Sequence, residues 1–559
     1  MSNKIINLNI NGMNCSGCSS HIEKDLNVKD GIISSTVNHE TGEGKFVYDT
    51  NKISNQDVIY AVNNVVNYSV VEDIKKEDCC VTNTKDYDEK NKFDLIVIGG
   101  GSAAFSAAIK AESIGLTTLM VNDGLDFGGT CVNVGCVPSK NLIRAAETVY
   151  HATHSNFKGI KPKGVEIDFT QIIKDKKALV ATLQQHKYID VVSDFKNLTM
   201  LKGWAEFVDN KTILVDGKDT YTATNIIIAT GATTNIPNIE GLNKVGYLTN
   251  VSLFDLEEKP KSLTIMGAGY IGLEIAMAYN RLGVKVRIIE FTDRPLRSQT
   301  NDITDVLEAQ MISEGIEILP NFRAIKFEKD GDNTIIHCKC PDGSTTQIIE
   351  EGHIIVATGT KPNTSKLSLE NIDLNLTEKG HILVNEKMET NISNIYAAGD
   401  VTNTPPFVYT AAKEGSTAVN NAFSLSKNSV DYTSLPWVVF TDPQIAGAGM
   451  DEVEAEKSGI PFEVSKLDLI HVPRALAAQD TRGFIKLIRN TETDKLIGAR
   501  VIAPEGGELI QQLSMAIKFG ITVKDLAESF YPYLTLGEGI KLAAITFGKD
   551  VSKLSCCAN

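Results

Sequence analysis

Two glycine-rich turns, each set between an apolar strand and a helix of small residues, constrain the fold of this chain most strongly. The first lies in FDLIVIGGGSAAFSAAIKAESIGLTTLMVND, from residue 93, and the second in SLTIMGAGYIGLEIAMAYNRLGVKVRIIE, from residue 262. Both follow the spacing G-x-G-x-x-G/A, at Gly99, Gly101 and Ala104 and at Gly267, Gly269 and Gly272. Such glycines permit a tight turn and let a pyrophosphate approach the N-terminus of the helix. The sequence predicts two Rossmann-like folds, for two dinucleotides or for one flavin and one nicotinamide.

The residue that ends the second strand of each fold refines this prediction. An acidic residue normally stands there and holds a ribose hydroxyl. The first fold has Asn122, which is still able to accept a hydrogen bond, and the second has Glu290. Glu290 favours a free 2′-hydroxyl and so NADH, whereas Arg294 and Arg297 follow closely and could meet a 2′-phosphate.

Further along the chain, short segments complete each nucleotide fold. Short segments of a strand followed by a glycine, at 226–232 and 354–360, close the two folds, and NIYAAGDVT (394–402) places Asp400 where it could reach the polar tail of a flavin. From about residue 431 the chain holds strands and then helices without another nucleotide signature, which indicates an interface or dimerisation domain. The predicted fold class is α/β and α+β, in several domains.

A pair of cysteines lies in the segment GGTCVNVGCVPSK, at residues 128–140. Cys131 and Cys136 are separated by five positions, over which a regular helix would rise about 7.5 Å. A disulfide requires Cα atoms roughly 4.4–6.8 Å apart, so the segment must bend if the two are to pair. Gly135 supplies the backbone freedom for that bend. A bent, strained bridge is easier to reduce than a relaxed one, which favours a redox role.

The first 72 residues predict a separate βαββαβ module of ferredoxin-like type, followed by a charged, flexible linker. Within it, GMNCSGC places Cys15 and Cys18 at the mouth of a predicted helix. The helix dipole favours thiolates there, and two thiolates at this spacing suit a soft ion such as Cu(I) or Hg(II). A thioredoxin-like redox pair is the alternative interpretation.

The totals for the 559 residues limit the class of protein. A net charge of −15 argues against nucleic acid or an anionic membrane as the main partner. The sequence has no apolar run near 18 residues and no signal peptide, so no membrane insertion and a cytoplasmic location are expected. All ten cysteines fall in close pairs, which points to redox or metal chemistry.

From residue 93 to about 550 the chain resembles the pyridine nucleotide–disulfide oxidoreductases, on the motifs GGGSAA, GGTCVNVGCVPSK, GAGYIGLE and NIYAAGDVT. The N-terminal module resembles heavy-metal-associated domains. The resemblance implies FAD on the first fold, a nicotinamide on the second, and a homodimer whose active site is shared between subunits. It divides the chain into a heavy-metal-associated domain (1–72), a linker (73–92), an FAD-binding domain (93–250 and 376–430), an NAD(P)-binding domain (251–375) and a dimerisation domain (431–559).

The resemblance also implies roles for single residues. Cys136 is the thiolate against the flavin, Cys131 is the more exposed interchange thiol, and Tyr270 covers the flavin until the nicotinamide displaces it. Lys140 and Glu274 match an ion pair near the reacting nitrogen of the flavin. FAD is expected to be held by Gly99, Gly101, Ala104, Asn122, Gly129, Thr130, Lys140, Gly231 and Asp400, and the nicotinamide dinucleotide by Gly267, Gly269, Gly272, Glu290 and Arg297.

Departures from the common family pattern indicate an unusual substrate. Tyr533 stands where most relatives carry an acid–base histidine, and a phenol with a pKa near 10 is a poor proton shuttle at pH 7. The chain ends in LSCCAN, so Cys556 and Cys557 offer soft ligands on a tail. This combination resembles the branch of the family that reduces Hg(II), delivered as thiol complexes, to Hg(0). That branch implies NADPH, with NADH as an alternative, and places Hg(II) in turn on Cys15 and Cys18, on Cys556 and Cys557, and on Cys131 and Cys136. Tyr270, and Tyr533 of the other subunit, are expected to help position the metal.

Two rival functions stay open at this point. A disulfide reductase similar to dihydrolipoamide dehydrogenase would turn over an organic disulfide, and it would be expected to carry a histidine at position 533. A soft-metal-binding or buffering protein would bind Hg(II) or Cu(I) without metal-dependent oxidation of NAD(P)H. Cys79 and Cys80 in the linker have no assigned role, and Cys338 and Cys340 are interpreted as structural cysteines of a strand.

Overall fold

The N-terminal module has the predicted order of elements. The computed structural model describes residues 3–11, 13, 16–39, 41–63, 65, 69–71 and 91–553. The module consists of β1 Asn3–Asn11, α1 Ser16–Asn27, β2 Ile32–Val37, β3 Glu43–Asp49, α2 Asn55–Asn63 and β4 Ser69–Val71. Its four strands form one sheet in the order β2-β3-β1-β4, which confirms the ferredoxin-like topology. The helices close over the sheet through a small core that includes Ile22, Leu26, Phe46 and Val58.

The remaining strands are β5 Lys92–Ile98, β6 Thr118–Asn122, β7 Leu198–Lys202, β8 Ala205–Asp209, β9 Thr212–Val215, β10 Asp219–Ile228, β11 Ala232–Thr234, β12 Ser262–Met266, β13 Lys285–Ile289, β14 Glu317–Leu319, β15 Arg323–Asp330, β16 Asn333–Lys339, β17 Thr345–Glu350, β18 His353–Val356, β19 Thr360–Pro362, β20 Ile395–Ala397, β21 Trp437–Val439, β22 Gln444–Gly449, β23 Phe462–Asp468, β24 Phe484–Asn490 and β25 Leu496–Ala503.

The remaining helices are α3 Ser102–Ser113, α4 Gly129–Asn133, α5 Cys136–Thr153, α6 Phe169–Gln184, α7 Asp190–Val192, α8 Leu242–Val245, α9 Asn250–Leu253, α10 Tyr270–Arg281, α11 Asn301–Ser313, α12 Val408–Phe423, α13 Glu452–Lys457, α14 Pro473–Ala478, α15 Gly506–Lys518, α16 Val523–Glu528 and α17 Glu538–Ile545. Across the part of the chain that the structure describes, no helix is both long enough and apolar enough to cross a membrane.

The chain forms two compact units, the first comprising Met1–Gly129, Gln184–Ala232 and Lys361–Val430. Beyond the N-terminal module, the sheet of this unit runs β7-β6-β5-β10-β9-β8, with β20 added on β10. Strands β5, β6, β7, β10 and β20 are parallel, and β8 and β9 are antiparallel. Strand β5 is a continuous buried run from Leu95 to Ile98, as expected for a parallel strand covered on both faces.

Helix α3, which follows the first glycine turn, packs closely on α12 in the same unit. At their crossing, a Cβ placed on Gly415 would lie 2.1 Å from the carbonyl oxygen of Ala103. Ala103, Ala104, Ala107 and Ala111 are all buried on α3. Small residues on both helices therefore let the two backbones approach, which holds the N-terminal end of α3 in place.

The second unit comprises Thr130–Leu183, Thr233–Thr360 and Asp431–Asn559. Its nucleotide fold has four parallel strands in the order β14-β13-β12-β18. The antiparallel sheet β15-β16-β17 lies between β14 and β18 in the chain. A five-stranded antiparallel sheet, β21-β22-β25-β24-β23, forms the C-terminal part. Two Rossmann-like folds and an α+β C-terminal part confirm the predicted fold class. The predicted domain boundaries at 250, 375 and 430 stay a prediction.

We predict that Gly415→Ala destabilises the first unit although alanine is the better helix former. The added Cβ meets the Ala103 carbonyl, and overpacking of this kind costs about 1–3 kcal/mol, against about 1 kcal/mol gained in helix propensity. Thermal unfolding should show a lower Tm than in the parent protein. Gly548→Ala is the control, because a Cβ at Gly548 meets no atom within 4 Å. An unchanged or raised Tm for Gly415→Ala would contradict the close crossing.

Candidate redox-active site

The segment between Cys131 and Cys136 bends by ending one helix and starting another. Helix α4 ends at Asn133, and α5 starts at Cys136 with Gly135 as its N-cap. A Cβ on Gly135 would lie 2.9 Å from the carbonyl oxygen of Thr130, so a side chain would press on the backbone of α4. The predicted bend is present, and Gly135 is needed chiefly for this close approach. Both cysteines are free thiols, and their sulfur atoms are hydrogen-bonded to each other.

The pKa values of the two thiols shift in opposite directions. Cys131 donates its hydrogen bond to Cys136, which lowers the pKa of Cys136 to about 7, with help from the cation of Lys140 and against the effect of burial. The same hydrogen bond, together with burial, raises the pKa of Cys131. Cys136 is also the first residue of an 18-residue helix, where the helix dipole favours an anion. The negative charge is therefore favoured on Cys136 and the proton on Cys131.

Lys140 and Glu274, predicted as an ion pair, are in direct contact. Lys140 Nζ lies 2.6 Å from Glu274 Oε2, and the Glu274 side chain is only 9% exposed. The other oxygen, Oε1, accepts a hydrogen bond of 3.0 Å from the backbone N–H of Phe440. Lys140 Nζ also lies 4.5 Å above the centre of the Phe440 ring. The pair joins α5 to α10 and places a fixed cation one helical turn beyond Cys136.

A buried charge cluster holds the segment that carries Phe440, and sequence reasoning missed it. Asp442 Oδ2 lies 2.9 Å from Arg281 Nη1, and Asp442 Oδ1 accepts 2.8 Å from Arg482 Nη2. Arg281 also forms a two-pronged bond with Glu314, at 2.8 and 2.6 Å. The Asp442 N–H points to Met277 Sδ at 3.1 Å. These contacts join residues up to 165 positions apart, so no local motif signals them.

Tyr270 is the first residue of α10, directly after the second glycine turn. Its half-buried ring meets the Trp437 indole edge-on, with centroids 6.0 Å apart and an interplanar angle of 77°. Burial raises the pKa of its hydroxyl, which is hydrogen-bonded to Ser298. Trp437 and Ser298 were not predicted, because neither belongs to a motif.

The first glycine turn forms a cradle of bare backbone within the first unit. A Cβ on Gly99, where φ is +131°, would lie 2.2 Å from the Ala229 carbonyl oxygen, and one on Gly129 would lie 2.6 Å from the Cα of Gly101. The N-terminus of α3 has no side-chain cap. Its first N–H groups are therefore available to an anion, and this fits the pyrophosphate of FAD.

The other residues predicted to hold FAD lie in α3 or later in the chain. Ala104 is buried in α3, and Gly231 adopts a φ of +66° after β10. Asn122 Nδ2 donates to the Leu125 carbonyl at 2.8 Å, so the asparagine is fixed by its own loop. Burial and the neighbouring Glu414 raise the pKa of Asp400, because both disfavour its negative charge. A ligand group that donates a hydrogen bond to this carboxylate would stabilise that charge. Thr130 and Lys140 belong to the second unit.

The second glycine turn repeats the cradle within the second unit. A Cβ on Gly267 would lie 2.5 Å from the Ala357 carbonyl oxygen, and one on Gly272 would lie 2.1 Å from the Gly267 carbonyl oxygen. A Cβ on Gly269 would meet nothing within 4 Å, and α10 starts there without a side-chain cap. Open space before uncapped N–H groups fits the pyrophosphate of a nicotinamide dinucleotide.

The protein itself holds Glu290 and the two arginines to different degrees. Glu290 accepts from the Ala268 N–H at 2.6 Å and from Thr292 N and Oγ1 at 2.7 Å each, so it braces the glycine turn. Arg294 is bound to its own loop, through the carbonyls of Arg297 and Gln299. Arg297 is 61% exposed and lies 3.4 Å from Asp293, which leaves it the more accessible cation.

The remaining predicted metal and partner residues are only partly described. Cys18 lies half-buried on α1, whereas Cys15, Cys79, Cys80, Cys556 and Cys557 lie outside the described residues. Tyr533 is 56% exposed on the connection between α16 and α17, near the exposed Phe530 and Leu534 in sequence. Within the ranges that the structure covers, no group of three or more His, Cys, Asp or Glu side chains is arranged to hold a metal ion.

Cys338 fits the structural role expected of it, whereas Cys340 is half-buried just beyond the end of β16. Cys338 is fully buried in the core beneath β16, and burial raises the pKa of its thiol to about 11. His337 Nε2, next to Cys338 in the strand, lies 2.8 Å from Glu328 Oε2.

Comparison with known proteins agrees with this geometry. Residues 93–415 match the description "Pyridine nucleotide-disulphide oxidoreductase", 435–544 match its dimerisation domain, and 7–69 match "Heavy-metal-associated domain". The chain is 39% identical to a mercuric reductase of Staphylococcus aureus over 98% of both chains, and 38% identical to one of Lysinibacillus sphaericus over 99% of both.

Solved structures show the same fold. The Cu(II) complex of the HOCl-induced flavoprotein disulfide reductase RclA from Escherichia coli is 27% identical, with a TM-score of 0.73, and the match covers 82% of this chain and all of that one. The resemblance found in the sequence is thereby confirmed: this chain belongs to the pyridine nucleotide-disulphide oxidoreductase family.

Proposed function

We propose that this chain is an oxidoreductase that reduces Hg(II) to volatile Hg(0) with electrons from NADPH, and so detoxifies mercury. The observation that carries the proposal is the pair of neighbouring thiols, Cys131 and Cys136, in which the hydrogen bond from Cys131 lowers the pKa of Cys136 to about 7. Two soft sulfur ligands select a soft ion. Relatives named mercuric reductase match nearly the whole chain, including the heavy-metal-associated module, and support this choice of metal.

FAD and NAD(P)H are the cofactors of this family, and when bound they supply the hydride and the electron pair for the reduction. The bare glycine turns at Gly99 and Gly267 would receive their pyrophosphates. Asp400 would accept a hydrogen bond from the flavin's polar tail, and Glu290 holds the second turn in shape. NADPH is our first choice of donor because Arg297 is accessible, and NADH stays the alternative.

The protein side chains prepare the thiols for the metal. The Lys140 ammonium group, held by Glu274, stabilises the Cys136 thiolate. Hg(II) binds this thiolate and then displaces the proton of Cys131, which gives a two-coordinate ion on both sulfurs. Uptake of two electrons gives Hg(0), which has little affinity for thiolates and leaves. A Cys131–Cys136 disulfide would be opened by two electrons from the cofactors before the first ion binds. Loss of Hg(0) leaves both sulfurs as thiolates, so the next ion binds without another oxidation of the thiols.

The metal is proposed to arrive by exchange between thiolates. Hg(II) from small-thiol complexes in the cytoplasm would bind Cys15 and Cys18, or pass directly to Cys556 and Cys557 of the partner subunit, and then to Cys131 and Cys136. The dimerisation domain supports a homodimer, in which Tyr533 from the partner would help to position the ion together with Tyr270. A phenol at position 533 suits a substrate that needs no proton on its leaving group.

A reductase of organic disulfides is the second candidate, since the solved relatives include a flavoprotein disulfide reductase. We predict that the holoenzyme, kept anaerobic with NADPH, Hg(II) and excess thiol, releases Hg(0) vapour in proportion to the NADPH oxidised. Cys131→Ser and Cys136→Ser should each abolish Hg(0) release, because a single sulfur no longer encloses the ion. Turnover of lipoamide or glutathione disulfide without Hg(0) would favour the second candidate.

The acidity of Cys136 gives a second prediction. In the reduced protein, alkylation of Cys136 should rise with pH through about 7, since the thiolate exists above this pKa and is protonated below it. Lys140→Met should move that midpoint upward, because the cation that favours the thiolate is gone. Peptide mapping of the alkylated product would assign the reaction to Cys136.

Arg144→Met is the matched control for this experiment. It removes one positive charge from the same helix, but Arg144 is 59% exposed and pairs with Glu147. Its midpoint should stay near that of the parent protein. Equal shifts for both variants would show a general charge effect and contradict the specific role of Lys140.

The terminal thiols can be tested separately. Cys556→Ala with Cys557→Ala should slow Hg(0) formation from Hg(II) held by bulky ligands, while reduction of the flavin by NADPH continues at the parent rate. The reason is that the tail only delivers metal. If both steps fell to the same extent, the relay role would be wrong.

A further inference from the structure

A row of paired residues crosses one face of the five-stranded C-terminal sheet. Trp437 on β21 is paired with Gly447 on β22, Gly447 with Arg500 on β25, and Arg500 with Lys486 on β24. Directly paired residues point to the same face of a sheet. Because Gly447 has no side chain, the indole occupies its place: a Cβ there would lie 2.4 Å from Trp437 Cζ2. Trp437 therefore reaches Arg500, whose Cζ lies 5.6 Å from the indole centroid.

Arg500 and Lys486, the two cations of this row, bind the loop between β13 and α11. Arg500 Nε donates to Gln299 Oε1 at 3.2 Å, and Lys486 Nζ donates to Thr300 Oγ1 and Asp302 Oδ2 at 3.1 Å each. The same loop is tied to the glycine turn by the Leu296 N–H, which donates to the Ala268 carbonyl at 2.9 Å. The loop is thus fixed at both of its sides.

Arg500 is a rigid anchor rather than a mobile surface charge. Its side chain is 4% exposed, and Nη1 donates to the carbonyls of Ala448, Gly449 and Ala499 at 3.3, 3.2 and 2.9 Å. A guanidinium group fixed in this way presents a flat cationic surface to the indole, which favours one orientation of the ring.

Tyr270 meets this assembly at two points. Its ring packs on the edge of Trp437, and its hydroxyl is hydrogen-bonded to Ser298, the neighbour of Gln299. We propose that Trp437 and Arg500 are positioning residues that hold Tyr270 in the place a nicotinamide must take, and so set the affinity for the dinucleotide. The inference rests on the proposed function, which has a nicotinamide dinucleotide bind at the second glycine turn and its nicotinamide displace Tyr270.

Movement of Tyr270 away from Trp437 costs free energy, because their ring contact is lost. When Tyr270 moves aside, its edge-on contact with Trp437 breaks, and the free energy of that contact is subtracted from dinucleotide binding. A residue that merely supported the sheet would change stability without changing this affinity. The two roles therefore differ in what a substitution at position 437 changes.

The first test measures binding of NADP⁺, which cannot reduce the flavin, to the FAD-loaded dimer. Trp437→Ala should lower the Kd for NADP⁺ roughly two- to tenfold, the range expected for one aromatic contact. Trp437→Phe keeps a ring edge against Tyr270 and should bind within about twofold of the parent. Arg500→Met should shift the Kd in the same direction as Trp437→Ala. An unchanged or raised Kd in Trp437→Ala, with a lowered Tm, would show a structural role only.

A second test uses the fact that the chain has only two tryptophans. Trp204 belongs to the first unit, where its indole N–H donates to the Lys366 carbonyl at 2.8 Å. In Trp204→Phe, the fluorescence of Trp437 alone should change as NADP⁺ binds and Tyr270 leaves the indole. In Trp437→Phe, where only Trp204 emits, no such change is expected.

Bound NADP⁺ without a change in Trp437 emission would overturn the inference. Both tests omit Hg(II), so a failure to form Hg(0) leaves them valid. A complete lack of NADP⁺ and NAD⁺ binding would overturn the proposed function itself, and this inference with it.

Discussion

The hydrogen bond between Cys131 and Cys136 is the interaction on which the redox site depends. It exists because the chain ends one helix at Asn133 and begins another at Cys136, with Gly135 too close to the Thr130 carbonyl to carry a side chain. The same bond assigns a proton to one sulfur and a negative charge to the other. A continuous helix would separate the two thiols and remove both properties.

The charge on Cys136 is maintained by a chain of contacts that extends well beyond the site. Lys140 is fixed by Glu274, Glu274 by the N–H of Phe440, and the segment after Phe440 by the cluster of Arg281, Asp442 and Arg482. Removing one partner from a buried pair of this kind costs about 3–5 kcal/mol, because the other charge stays buried without compensation. The acidity of one thiol is thus supported by buried ion pairs that lie outside the site itself.

The sequence predicted the parts of this molecule whose chemistry is local. The glycine turns, the βαββαβ module and the bend at Gly135 follow from spacing and residue type within a few positions, and the pairing of Lys140 with Glu274 came from the family resemblance. The residues that hold these motifs in place were not predicted. Phe440, Asp442, Trp437 and Arg500 act through contacts made only once the strands and helices pack, and no spacing in the sequence marks them. Glu290 shows the same limit: its position was recognised, but its bonds to the glycine turn and to Thr292 emerged only from the fold.

Cys338 has a further consequence for a protein that carries a thiol-seeking ion. Hg(II) binds any accessible thiolate strongly. An accessible cysteine outside the active site would therefore trap the ion and inhibit the enzyme. Cys338 is shielded twice, by complete burial and by a pKa near 11 that leaves almost no thiolate at neutral pH. Burial and the raised pKa together limit the reaction of this thiol with Hg(II) at neutral pH.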